Sequence, residues 1–77
     1  MVVPQIKWTN TSKVTWKENW VGKLGNYKIK TEHKHEREFW FEIYFNDNLV
    51  SSGVETTLDR CKMLSEIELL RHYIEQL

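Results

Sequence analysis

A chain of 77 residues with no formal net charge at neutral pH reads as one small domain, and its single cysteine excludes a disulfide within the chain. A sequence pI near 6.8 argues against strong non-specific nucleic-acid binding, and no apolar run reaches the roughly 18–20 residues that a membrane span needs. The opening, Met1 to Lys7, lacks the basic and apolar regions of a signal peptide, so the chain is expected in the cytoplasm.

The first dozen residues, with "TNTS" at 9–12, read as an arm pinned by Ile6 and Trp8. "KVTWKEN" at 13–19 alternates, with Val14 and Trp16 on one face, and predicts a first strand. Gly22 and Gly25 then bracket a connection. They lack the third glycine and the following helix of a phosphate cradle, so "WVGKLG" reads as a corner. "NYKIKTEH" alternates again, with Tyr27, Ile29 and Thr31 opposite Lys28, Lys30 and Glu32. "HKHERE" at 33–38 is a polar hairpin, feeding the strongest strand, "FWFEIYF" at 39–45. Phe39, Phe41, Ile43 and Phe45 share one face of it, while Trp40, Glu42 and Tyr44 share the other.

"NDN" at 46–48 is a tight turn, because Asn and Asp tolerate left-handed backbone. "LVSSGVE" at 49–55 is a short strand, ended or bulged at Gly53. Beyond it the period changes to helical. Thr56 or Thr57 can cap the helix, and no Gly or Pro interrupts Leu58 to Leu77. Met63, Ile67, Leu70, Ile74 and Leu77 follow 4, 3, 4, 3 spacing, a heptad-like seam. Leu58, Cys61, Ser65 and Leu69 make a second stripe of smaller residues. Either both stripes are buried, or one faces the sheet and the other a partner, a second copy included.

Chemistry finds little footing. Cys61 has no base within reach, because His72 is about three turns along the same helix. His33 and His35, at i and i+2 on a strand, are the metal candidates, yet a structural zinc site wants four ligands and usually thiolates. Nucleotide-loop, metalloprotease and nucleophile-elbow motifs are missing, so an enzyme is not expected and no cofactor is implied. Charge is uneven: residues 1–38 hold eight Lys/Arg and four Asp/Glu, and residues 39–77 hold three and seven. Trp40 and Tyr44, if they point away from the helix, suit a protein-binding hot spot or base stacking among lysines, unless the Trp8 arm folds across them.

Trp16 and Trp20, Leu24-Gly25-Asn26-Tyr27-Lys28-Ile29, Phe39 to Phe45, and Thr57-Leu58-Asp59-Arg60-Cys61-Lys62 together resemble a pattern found in small phage and prophage proteins of unknown function. The resemblance covers most of residues 13–68. It implies three or four antiparallel strands followed by a helix, and a phage setting in which small proteins act by blocking host proteins. The strand–helix order is also similar to the later part of double-stranded-RNA-binding domains. Leu58 and Asp59 stand where that family places phosphate-holding lysines, so its activity does not carry over.

The expectation is thus an α+β domain: an N-terminal arm (1–12), a three- to four-stranded antiparallel meander (13–55) and one long helix (56–77). Its expected function is that of a non-enzymatic interaction protein, a phage-encoded inhibitor that occludes a host or defence protein in the manner of an anti-CRISPR. Trp40, Glu42, Tyr44, Lys28, Lys30, Met63, Ile67, Leu70 and Ile74 are the candidate contact residues. The alternatives are nucleic-acid binding through the lysines and aromatics of the open sheet face, and a small-nucleotide site in an oligomer's seam.

Overall fold

The computed structural model describes residues 5–13 and 17–76. Five strands, β1 (Lys7–Asn10), β2 (Trp20–Leu24), β3 (Tyr27–His35), β4 (Glu38–Phe45) and β5 (Asn48–Glu55), precede one helix, α1 (Leu58–Glu75). The strands form one antiparallel sheet in chain order, an uninterrupted meander. The fold is α+β as the sequence predicts, with five strands where three or four were expected.

The extra strand arises at the N-terminal end, and the hairpin expected over 33–38 is narrower, with β3 running to His35 and β4 starting at Glu38. The strand expected over Lys13–Asn19 centres on Val14 and Trp16, which lie outside the described residues, and 17–19 carry no strand. Instead β1 forms within the supposed arm, and the supposed corner at Trp20–Leu24 is itself a strand. Gly22 sits in the middle of β2, directly across from Trp8. A Cβ there would come within 2.8 Å of Ile6 and 3.1 Å of the Trp8 ring, so glycine makes room for a cross-strand indole. Gly25 does turn the chain, with φ 58° in the two-residue β2–β3 hairpin.

The Asn46–Asp47 turn has φ of 50° and 66°, the doubly left-handed geometry that matches strand twist and that these residues tolerate. β5 runs straight through Gly53, whose missing Cβ accommodates the Phe41 ring at 2.6 Å; the register shift falls between Ile43 and Tyr44 instead.

One sheet face carries the core. Tyr27 and Ile29 of β3 and Phe39, Phe41 and Ile43 of β4 meet Cys61 and Leu69 of α1. The helix lies across β3, β4 and β5, and Thr57 caps it by accepting a hydrogen bond from the Arg60 N–H at 3.2 Å. The small stripe faces the sheet: Cys61 and Ser65 are fully buried, and the Ser65 hydroxyl donates to the Lys62 carbonyl at 2.9 Å. Each fully buried Ile or Leu contributes about 1.5–3 kcal/mol, and Ile29, Ile43 and Leu69 are the largest side chains buried this completely.

The β1–β2 side is tied to the helix by aromatics. The Trp8 indole donates to Glu66, and Lys62 Nζ lies 4.8 Å from the Trp8 ring and 4.1 Å from the Trp20 ring. At the other end Tyr27 packs on Phe45, and its hydroxyl is hydrogen-bonded to His72 Nδ1 at 2.6 Å.

Candidate functional site

Strand alternation leaves the second sheet face without a helix. Register places its side chains in rows: Lys7, Lys23, Lys28, Tyr44 and Leu49 in one; Thr9, Val21, Lys30, Glu42 and Ser52 in the next; Glu32, Trp40 and Val54 in a third. Trp8 belongs to the opposite face, so among the described residues its indole does not lie across Trp40 and Tyr44. Trp40 is 41% exposed, and its indole N–H donates to Glu38 at 2.7 Å, which fixes the ring. The Tyr44 hydroxyl is held above its ordinary pKa by desolvation and by the neighbouring Glu42 carboxylate.

Beside these rows lies an open concavity of about 850 Å³, lined among others by Lys13, Lys17, Lys30, Lys34, Val21 and Trp40. Every lysine of the chain except Lys62 is therefore on this face or lines the concavity next to it. Glu32, Glu38 and Glu42 are interleaved: Glu32 pairs with Lys34 at 3.0 Å, Glu38 holds Trp40, and Glu42 stands opposite Lys30. The row Lys7–Lys23–Lys28 has no acidic member. Like charges directly opposite each other destabilise a sheet, so this row costs the fold stability.

The candidate contact residues thus divide into two groups on opposite sides. Lys28, Lys30, Trp40, Glu42 and Tyr44 come together on the open face. Met63, Ile67 and Ile74, respectively 50%, 53% and 65% exposed, lie on the outer side of α1, with Leu70 half-buried against the core margin. Leu77 lies outside the described residues. The joint burial of both helix stripes, one of the two expectations, is not what the helix does. Lys7 and Lys23 were missed as contact candidates; once Gly25–Asn26 is a two-residue hairpin, alternation puts Lys23 beside Lys28.

The chemical candidates are otherwise engaged. His33 stacks on Phe39 with ring centroids 4.1 Å apart, and its Nδ1 accepts from the Glu18 N–H at 3.4 Å. His35 is exposed beyond a register shift, and no three metal-ligating side chains assemble among the described residues. Cys61 is fully buried; burial first, then Glu55, pushes its thiol up to about 11, so little thiolate forms near neutral pH. No helix of the described residues is long and apolar enough to cross a membrane. No protein-family model, curated protein or solved structure matches the chain.

Proposed function

We propose that this protein is a non-enzymatic interaction protein that docks its open sheet face on an acidic surface of a partner protein and acts by occluding it. The observation that carries this reading is the gathering of the lysines around the uncovered face bearing Trp40 and Tyr44. Lysines steer encounter with an acidic patch, and a fixed, exposed tryptophan supplies the desolvated anchor. The repulsive row Lys7–Lys23–Lys28 is relieved when an anionic surface covers it. The resemblance to small phage proteins supports an inhibitor of a host or defence protein.

The test is capture from host extract with tagged wild type and with a Lys28→Glu, Lys30→Glu variant of equal melting temperature. The wild type retains a specific protein partner that the variant loses; equal retention by both rejects the open face as the docking surface.

The interleaving of Trp40 and Tyr44 with Lys28 and Lys30 also favours a second reading, single-stranded nucleic acid stacked along β4. A gel shift with single-stranded oligonucleotides that weakens steeply with salt supports it, and no shift at low salt rejects it.

A further inference from the structure

We infer that the concavity beside the open sheet face binds a nucleoside polyphosphate, its base against Trp40 and its phosphates among lysines. The volume, about 850 Å³, falls in the range of small-ligand clefts, roughly 300–1,000 Å³. Four of the eight lysines of the chain line it: Lys13, Lys17, Lys30 and Lys34. Among the described residues its acidic members are Glu32 and Glu42, which leaves the lining a surplus of two positive charges. Charge of one sign gathered in a cleft raises the local concentration of anions of the other sign.

Hydrogen bonds hold the wall that carries Lys13 and Lys17. The Thr11 N–H donates to the Asn19 carbonyl at 2.8 Å, and the Asn19 N–H donates to the Ser12 hydroxyl at 2.8 Å. Asn19 Oδ1 in turn accepts from the His33 N–H of β3 at 2.9 Å, which ties this wall to the sheet. The opposite wall is aromatic. Trp40, 41% exposed, is fixed by its bond to Glu38, and Val21 adds an apolar patch beside Lys30. The two walls ask for two different chemistries in one ligand. Lysines hold phosphate oxygens as point charges, and a pre-positioned indole stacks a base for about 1–3 kcal/mol. A bare anion leaves the indole unused, and a neutral aromatic leaves the lysines unused. Stacking tolerates any base, so the site selects for phosphates and a flat ring with little regard to base identity.

Titration calorimetry of the full chain at low salt with ATP, adenosine and inorganic pyrophosphate is the test. ATP is expected to bind, with adenosine and pyrophosphate each at least about tenfold weaker. A Lys13→Gln, Lys17→Gln variant and a Trp40→Ala variant, each with unchanged circular dichroism, should weaken ATP binding at least about tenfold. Lys30→Gln should weaken it in the same direction, while Lys7→Gln, outside the lining, should leave it within about twofold of wild type. No binding of ATP by wild type overturns the proposal, as does ATP affinity unchanged in the lining variants. Pyrophosphate binding as tightly as ATP overturns it too, as an adventitious anion only. The site shares Lys30 and Trp40 with the docking face but does not rest on that reading. Partner capture that persists in the Lys13→Gln, Lys17→Gln variant while ATP binding is lost separates the two, and failure of ATP binding leaves the docking reading standing.

Discussion

The indole N–H of Trp8, on the first strand, donates to the carboxylate of Glu66 in the middle of the helix, 58 residues later in the chain. This bond, with Lys62 held between the Trp8 and Trp20 rings, closes the β1–β2 end of a sheet whose helix lies on β3, β4 and β5. Trp8→Ala should therefore cost about 2–4 kcal/mol in urea unfolding, from lost packing and an unpaired carboxylate. Trp8→Phe keeps most of the packing and should cost about 1 kcal/mol.

The lysine row predicts a trade between stability and binding. Lys23 stands between Lys7 and Lys28 on adjacent strands, so Lys23→Glu converts two repulsions into attractions. Its melting temperature should rise by about 1–5 °C, while capture of the partner falls. A residue kept for the fold alone would show the reverse.

Two glycines differ in why they are glycine. Gly53→Ala drives a Cβ into the Phe41 ring, 2.6 Å away in the core, and should cost about 1–3 kcal/mol through overpacking. Gly25→Ala meets nothing within 4 Å but must hold φ 58°, for about 1–2 kcal/mol of backbone strain. A Phe41→Leu background should relieve the first cost and leave the second unchanged, which thermal unfolding of the double variants reads directly.

Alkaline pH should destabilise the fold through Cys61. Its folded pKa of about 11 lies above the ordinary 9.0, so the folded thiol keeps its proton where the unfolded one loses it. The stabilisation is complete below pH 9 and lost as pH rises through 11. Tyr27, also raised by burial and by Tyr73, shifts stability in the same direction at higher pH. Unfolding free energies of wild type and Cys61→Ala across pH 8–11 should converge as pH rises. The native thiol should resist alkylation until urea unfolds the chain.

The parts of the fold legible in the sequence are those where one physical requirement dominates. "FWFEIYF" alternates because β4 is central and covered by a helix on one side only; Asn46 and Asp47 mark a turn that needs left-handed backbone; Thr57 marks a cap. Gly22 misled because glycine in a strand and glycine in a corner look alike until the cross-strand Trp8 is known. The helix has apolar residues on both sides, and the smaller side, Cys61 and Ser65, faces the sheet while the larger Met63, Ile67 and Ile74 face out. The aromatic part of the candidate surface, Trp40 and Tyr44, follows from alternation along β4. Its basic part is a property of register: lysines from β1, β2, β3 and the 11–19 segment, spread over the basic first half, meet only once the hairpins align them.

The most direct test of the open face is a Trp40→Ala, Tyr44→Ala double variant, with its melting temperature and its affinity for the captured partner measured side by side. The predicted result is a melting temperature within a few degrees of wild type and binding weakened at least about tenfold. Binding at full strength, or a loss of binding matched by a loss of folding, would contradict the account.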